Sequence, residues 1–252
     1  MDALYNHALE QLDKAFRILE EMVPPPQKVP HGNTYVFRYK EQTIQQAMLQ
    51  KLARVISGLR SASLLLENGF LQDQSALHRI LDEFHEDILF LAYAVINDDQ
   101  TETHQKYLYA FYKEEFCHDT GKWLPGRKWV SRRDIRAYLA TFRHPSMDSS
   151  DGGSLSQQIQ NAYSGFIHGN SAHIMDMVQG NPPKFRLQGM RGTQLHELHQ
   201  DDLYNAFFHA IISFAFVAEA FGNEELLQSL HDYHLEFDAM SGRNNAYRQE
   251  PP

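Results

Sequence analysis

Apolar residues recur at three- and four-residue spacing along most of this chain, and that periodicity is the main constraint on its fold. Such spacing places the apolar side chains on one face of an α-helix. The clearest run lies between residues 44 and 66, at Ile44, Met48, Leu52, Val55, Leu59, Ala62 and Leu66. Asn68-Gly69, directly after it, is a helix-ending signal. A second run follows at Leu77, Leu81, Phe84, Ile88, Leu91 and Val95. The short gap between the runs predicts an antiparallel pair of helices.

Further helices are predicted at residues 3–22, 101–117, 131–142, 161–170, 201–221 and 224–240. Pro24-Pro25-Pro26 ends the first of them. Ser131, with Asp134 three residues later, resembles an N-cap pattern. We find no series of segments that would make a sheet. The predicted fold is therefore all-α: a single bundle of about seven to eight helices, with a long irregular loop before the penultimate helix.

The chain divides, on this interpretation, into three parts. Residues 1–37 are an N-terminal helix and a Pro-rich linker, in which the linker proper is 24–37. Residues 38–240 are the helical-bundle domain, interrupted by a Ser/Asp/Gly-rich flexible loop at 146–156. Residues 241–252 are polar and are predicted to form a disordered tail.

Cysteine usage and the first residues of the chain indicate a compartment. Cys117 is the single cysteine, so no intramolecular disulfide can form, and the N-terminus has neither a basic region nor an apolar run. The longest apolar stretch, 207–221, is shorter than the roughly 20 residues that a membrane span needs. We therefore predict a cytoplasmic protein that does not enter a membrane.

Charge is distributed unevenly. The segment 122–143 carries +6, which leaves the rest of this −9 chain at −15. Cations mixed with tryptophans are typical of surfaces that bind single-stranded RNA. The candidate binding residues of this segment are Trp123, Arg127, Lys128, Trp129, Arg132, Arg133 and Arg136. The alternative, which we favour because an acidic chain repels nucleic acid at long range, is that these cations pair with internal carboxylates.

Two helical pairs at i, i+4 place polar groups inside apolar surroundings: Arg79 with Glu83, and Ser164 with His168. If the pairs converge, Arg79 would bind a phosphate or carboxylate while Glu83 orients it. His168 would act as a general acid or base, with Ser164 fixing its ring. The four residues are the candidate catalytic cluster. The alternative is structural, with a plain ion pair at Arg79 and a helix C-terminal His168.

Other familiar motifs are weak. His196-Glu-Leu-His199, His231-Asp-Tyr-His234 and Asp82-x-x-His85 have metal-ligand spacing, but 14 histidines make chance pairs common. A di-iron bundle requires two Glu-x-x-His motifs, which this chain lacks. Ser164 has no Gly-x-Ser-x-Gly context. We predict no metal and no cofactor.

Residues 44–221 resemble a widespread, functionally uncharacterised family of bacterial helical proteins, a domain of unknown function. The resemblance rests on an Arg-x-x-x-Glu helix, on a Trp-Gly-basic turn leading into a short helix, and on a Tyr-Ser-x-x-His-Gly helix end. Here these are Arg79 with Glu83, residues 123–135, and Tyr163, Ser164, His168 and Gly169. The resemblance implies a fold and a candidate site, without an activity.

A weaker resemblance is to the HEPN helical domains of bacterial toxins and abortive-infection systems. Their metal-independent RNA cleavage uses an Arg followed four to six residues later by a His. Arg79 with His85, and Arg191 with His196, have that spacing. About two such pairs are expected by chance, and Ile80 replaces the polar residue expected after the Arg.

Three hypotheses follow. The first is an interaction or sensor module, in a bacterial defence setting, whose partner is another protein or a second copy of the chain in a homo-oligomer. The second is a HEPN-like metal-independent ribonuclease guided by the 122–143 segment. The third is a bundle that binds a small anionic ligand, with Tyr163, His209 and Ser213 lining its cavity.

Overall fold

The computed structural model describes residues 3–117, 120–142 and 163–242. The helices are α1 (Ala3–Glu21), α2 (Ile44–Asn68), α3 (Leu71–Ile96), α4 (Glu102–Tyr112), α5 (Arg132–Ala140), α6 (Ser171–Met175), α7 (Gln194–Ala220) and α8 (Glu224–Met240), with a helical segment at 163–167. Two short antiparallel pairs join β1 (Gln27–His31) to β2 (Thr34–Arg38) and β3 (Val178–Gln179) to β4 (Lys184–Phe185). The prediction of an all-α bundle is confirmed. The predicted loop at 146–156 and residues 243–252 of the predicted tail lie outside the described residues.

Helix α3 lies at the centre of the bundle and packs against both α2 and α7, while α8 covers α7 and α1 packs against α2, α7 and α8. Large aromatic side chains fill the space between them. Phe90 of α3, Phe207 and Phe214 of α7 and Phe237 of α8 are fully buried. Burial of one such ring stabilises the fold by roughly 2 kcal/mol. Leu9, Leu12 and Leu19 of α1 belong to the same core, so α1 is packed as a member of the bundle.

Local sequence signals explain where the main helices begin and end. Thr43 and Gln46 form a reciprocal capping box at the start of α2, and the helix ends at Gly69, whose φ of 75° is in the left-handed region. The Ser131 side chain accepts a hydrogen bond from the Asp134 N–H at the start of α5, as the sequence predicts. Helix α7 begins at residue 194 rather than at 201, because Thr193 caps it through the His196 N–H.

The segment predicted as a linker contains the β1–β2 hairpin, which differs from the prediction. Its register pairs Val29 with Val36 and Lys28 with Phe37 across a turn at Gly32. Most of its side chains are exposed, so the segment has no buried stripe that a periodicity argument could detect. Arg38 forms an ion pair with Glu114, which ties the end of the hairpin to the loop after α4.

Helix α7 is the one described helix long and apolar enough to cross a membrane, with a window of mean hydropathy 1.4. Of that window, 61% is buried against the other helices. A core helix of a soluble protein has this pattern, and α7 occupies that position in the bundle.

Candidate functional site

Arg79 and Glu83 form an ion pair on α3, with 2.9 Å between the guanidinium and the carboxylate. They adjoin a set of charged residues, the acid–base network, that links α2, α3 and α5. At its centre Asp87, only 1% exposed, accepts hydrogen bonds from Lys51 and from Arg132, both at 2.6 Å. The members of the network are Lys51, Arg79, Glu83, Glu86, Asp87, Arg132 and Arg136.

The basic segment 122–143 divides into two groups in the structure. Arg132 and Arg136 pair with carboxylates of α3 in the acid–base network, and Arg127 pairs with Glu115. The remaining described members stay at the surface, where Trp123 is 65% and Trp129 is 56% exposed. We name this second group the aromatic–basic surface: Lys122, Trp123, Lys128, Trp129 and Arg133.

Ser164 and His168 lie in a different place from Arg79. The His168 N–H donates to the Ser164 carbonyl at 3.1 Å, which closes one helical turn, and the His168 side chain is exposed. Within the described ranges, no hydrogen bond or ion pair joins this pair to Arg79 or Glu83. Tyr163, at the other end of the turn, is held by a hydrogen bond to Asp202 of α7 at 3.0 Å.

The two Arg–His spacings also separate in space. Arg79 pairs with Glu83, whereas the His85 ring contacts Ser213 of α7. Arg191 and His196 both contact the last carbonyls of α2, those of Glu67 and Leu66. The second pair therefore acts as a side-chain cap for the C-terminus of α2.

A row of polar side chains, most of them titratable, lies along the interface between α3 and α7. On each helix they follow three-, four- or seven-residue spacing, so each set occupies one face. We name this row the histidine stripe: His78, Asp82 and His85 of α3, with His199, Asp202, His209 and Ser213 of α7. Considered singly, the pairs looked like chance matches. Their common face was the signal that sequence reasoning missed.

At one end of the stripe, His78 is 3% exposed and is kept neutral. Gln74, fully buried, donates from its side-chain amide to the His199 carbonyl at 3.2 Å and lies 2.9 Å from Nε2 of His78. With its amide donating, the glutamine leaves the lone pair of His78 Nε2 as the acceptor. Burial lowers the pKa of His78 from its usual 6.5 to about 4, although the charge of Asp82 acts in the opposite direction.

Tyr163, His199 and Asp202 form a second buried group beside His78. Burial raises the pKa of Asp202 and of Tyr163, and lowers that of His199. Ser75 Oγ at 3.2 Å and Asp202 Oδ2 at 3.4 Å both approach Nδ1 of His199. A catalytic triad places its serine and its carboxylate on opposite nitrogens of the imidazole. The Ser75, His199 and Asp202 arrangement is therefore not that of a triad.

At the other end of the stripe, the His85 and His209 rings are stacked, with centroids 4.8 Å apart and planes at 7°. The Ser213 hydroxyl donates to the His209 carbonyl at 2.9 Å and lies 2.7 Å from Nδ1 of His85. A hydroxyl has one proton, so His85 donates from Nδ1 and keeps its lone pair on Nε2. Burial lowers the pKa of His85, and the neighbouring His209 adds to this effect.

A cavity of about 10 Å³, the scale of one water molecule, lies between these rings and Asp82. Nδ1 of His209 is buried there, 3.7 Å from the Asp82 carboxylate. Parallel stacking keeps the ring nitrogens of His85 and His209 from converging on one point. In the part of the chain that the structure describes, no three His, Cys, Asp or Glu side chains are placed to hold a metal ion.

A larger cavity, of about 260 Å³, opens beside the β3–β4 hairpin, and we name it the hairpin cavity. Its apolar lining is Phe70, Phe166, Ile174, Met177, Leu187 and Met190. Its polar lining is Gln72, Asp73, His173 and Arg186. The Phe166 ring packs against His173, with centroids 4.0 Å apart and planes tilted by 33°, and it meets the edge of His199 at 6.2 Å. Its ring therefore lies between the cavity and the histidine stripe.

Close backbone contacts fix the walls of the hairpin cavity. The Met190 N–H donates to the Gly69 carbonyl at 2.8 Å, which binds the chain after β4 to the turn between α2 and α3. Gly189, with a φ of 95°, passes so close to Asn68 that any side chain there would strike the Asn68 carbonyl. The Gln72 amide donates to the His173 carbonyl at 3.2 Å and joins α3 to α6.

Comparison with protein-family models, with curated proteins and with solved structures finds no match for this chain. The resemblances stated above therefore stay predictions.

Proposed function

We propose that the protein is a sensor module that binds a small, largely apolar ligand in the hairpin cavity. The observation that supports this proposal is the combination of a 260 Å³ cavity, a predominantly apolar lining and a few polar side chains at one place. That combination is typical of small-molecule sites, as is the nearby group of residues with shifted pKa values. The volume is just under the range of about 300–1,000 Å³ that is common for ligand pockets, so the ligand is small.

The walls of the cavity suggest how binding would be sensed. They come from three stretches of chain: the turn between α2 and α3, the 166–177 stretch with α6, and the segment after β4. A ligand that contacts all three stabilises their joint arrangement by mass action, by about 2.7 kcal/mol when its concentration is 100 times Kd. A partner protein that recognises this arrangement would then respond to the ligand. A cytoplasmic role in bacterial defence is part of the proposal; it rests on the lone cysteine and on the family resemblance.

Filling the cavity tests the proposal. Ile174 lines the cavity, whereas Met175 is its neighbour on α6, is 52% exposed and does not line it. We expect ligand-observed NMR with a panel of small apolar compounds to detect binders of the wild-type protein. Ile174→Trp should abolish their signals and Met175→Trp should leave them. Equal signals from both variants would refute the proposal.

The aromatic–basic surface supports a second candidate function, the binding of single-stranded RNA. Two tryptophans, each more than half exposed, alternate along the chain with Lys122, Lys128 and Arg133, and none of these three cations forms an ion pair within the described residues. Exposed rings offer stacking platforms for bases, and neighbouring cations attract the phosphates. The overall charge of −9 acts against this function at long range.

Fluorescence anisotropy with a labelled single-stranded RNA tests this second function. Trp123→Ala and Trp129→Ala should each weaken binding about tenfold, as stacking losses do. Lys128→Gln should lower the slope of affinity against salt. Leu235→Ala, which removes an exposed apolar side chain from α8, is the control and should change neither. Binding that ignores both tryptophans would exclude this surface.

Cleavage of the RNA receives no such support. Arg79 and His85 are each engaged by other partners, and Arg191 and His196 cap α2. The candidate residues Ser164 and His168 lie on a separate turn of chain. The HEPN-like ribonuclease stays a hypothesis from sequence.

A further inference from the structure

Two opposite charges stand at the hairpin cavity without pairing to each other. Asp73, in the first turn of α3, and Arg186, just after β4, are the one carboxylate and the one guanidinium among its described lining residues. Both are exposed, and neither forms an ion pair in the described ranges. The other polar lining groups are engaged: Gln72 donates to the His173 carbonyl, and the His173 ring lies 3.9 Å from Asp176.

This arrangement disfavours a ligand with a single charge. A carboxylate bound by Arg186 would share the cavity with Asp73, and an ammonium bound by Asp73 would share it with Arg186. Like charges at close range disfavour binding, and opposite charges favour it. A ligand with both an ammonium and a carboxylate would meet both residues in a favourable sense.

The rest of the lining indicates what the ligand body is. Phe70 and Phe166 present aromatic rings, and Met177 and Met190 present thioethers. Rings pack on rings, and methionine sulfur makes favourable contacts with aromatic edges. An aromatic group fits such surroundings better than a polar chain does.

We propose that the hairpin cavity selects a zwitterion with an apolar, preferably aromatic, body, of the chemical class of an aromatic α-amino acid. Asp73 binds the ammonium group and Arg186 binds the carboxylate, while the apolar lining holds the ring. This inference rests on the ligand-binding function proposed above and specifies its ligand class.

The test uses three matched compounds: L-phenylalanine, 3-phenylpropionate, which lacks the ammonium, and phenethylamine, which lacks the carboxylate. Isothermal titration calorimetry on the full chain should show L-phenylalanine binding at least about tenfold more tightly than either analogue, since each analogue lacks the group that one of the two charged side chains binds. Asp73→Asn should remove the advantage over 3-phenylpropionate. Arg186→Gln should remove the advantage over phenethylamine.

Lys184→Gln is the matched control, because Lys184 is an exposed cation of β4 that does not line the cavity. It should leave the order of the three affinities unchanged, and thermal unfolding should show all variants folded. Equal binding of L-phenylalanine and 3-phenylpropionate, unaffected by Asp73→Asn, would overturn the zwitterion inference while leaving ligand binding intact. If none of the three compounds binds, the inference is also overturned, and the Ile174→Trp experiment alone then decides the proposed function.

Discussion

The acid–base network and the histidine stripe occupy different faces of the same helix, α3. Polar groups are buried in both, as ion pairs in the network and as neutral rings in the stripe. In the network, arginines and a lysine sit on carboxylates, with Asp87 contacted by two cations at 2.6 Å. In the stripe, the buried imidazoles are kept neutral, as the lowered pKa values of His78 and His85 indicate. Protonation of His78 or His85 in the folded state therefore costs stability.

This difference separates structural polar groups from candidate functional ones. Each ion of the network has an opposite charge nearby, and the pairs tie α5 to α3 and α2 to α3. The stripe instead lies beside the hairpin cavity. The Phe166 ring lines the cavity and contacts the His199 ring, so it stands between the two. Groups whose pKa values are strongly shifted, next to a cavity, are a more usual site of function than fully paired ions.

The largest effect is expected from breaking the network at its centre. Asp87→Ala removes the buried carboxylate that Lys51 and Arg132 share, and leaves two partly buried cations without it. We expect the free energy of unfolding to fall by about 3–5 kcal/mol. Urea denaturation at pH 7.5 measures it. Asp13→Ala breaks an ion pair with Arg60 in which both side chains are nearly half exposed, and should change stability by less than about 1 kcal/mol. Similar losses from the two variants would contradict the buried role of Asp87.

The second prediction is that the histidine stripe makes the stability of the fold sensitive to acid. The pKa of His78 is about 4 in the folded state and 6.5 in its usual environment, so the unfolded chain binds more protons between these values. The free energy of unfolding is therefore highest, as far as His78 is concerned, above pH 6.5, and it decreases progressively as the pH falls toward 4. At pH 5 the decrease amounts to about 2 kcal/mol. Asp202, whose pKa is raised by burial, gains a proton on folding at lower pH and offsets part of the loss.

Urea denaturation of the wild type and of His78→Gln at pH 7.5 and pH 5.0 measures this effect. The variant lacks the titrating imidazole, so its stability should fall by about 2 kcal/mol less between the two pH values. His231→Gln replaces a largely exposed histidine of α8 and is the control, with the pH dependence of the wild type. An unchanged pH dependence in His78→Gln would show that His78 is not the group that is kept neutral.

The sequence predicts one ion pair of the network but none of the contacts of the stripe between helices. Arg79 with Glu83 is a contact within one helix, and its i, i+4 spacing predicts it directly. The partners of Asp87 come from α2 and α5. Gln74, which contacts His78 from the same helix, also donates to the carbonyl of His199 on α7, more than one hundred residues later in the chain. Helical periodicity shows that His78, Asp82 and His85 share a face. It does not show which other helix that face meets.

The sequence predicts a helix well where its buried apolar residues recur with the helical period. Helices α2 and α8 bury regular apolar stripes, and their predicted limits agree closely with the structure. Helix α3 begins at Leu71, six residues before Leu77, where the run that predicts it starts. The β1–β2 hairpin was not predicted, because its side chains are mostly exposed on both faces. The start of α7 was placed seven residues late, since the turn after Thr193 is largely polar and is fixed by a cap and by contacts with the end of α2.

The smallest expected effect comes from removing one hydrogen bond of the stripe. It tests whether hydrogen bonds stabilise the stripe as ion pairs stabilise the network. The Tyr163 hydroxyl donates to Asp202 at 3.0 Å and lowers the pKa of that carboxyl against the effect of burial. Tyr163→Phe removes the donor and keeps the ring beside His78. The unfolding free energy should fall by about 1 kcal/mol at pH 7.5, the usual net value of one hydrogen bond. The pKa of Asp202, followed by carbon-13 NMR of its carboxyl, should rise further.

Tyr138→Phe is the control, because it removes a tyrosine hydrogen bond to the Asp99 carbonyl elsewhere on the bundle. It should leave the pKa of Asp202 unchanged. A rise in Tyr163→Phe alone would therefore come from the lost hydrogen bond to the carboxylate and not from a general loss of packing. A pKa of Asp202 that stays fixed in Tyr163→Phe would mean that the tyrosine hydrogen bond does not set the protonation of this carboxyl.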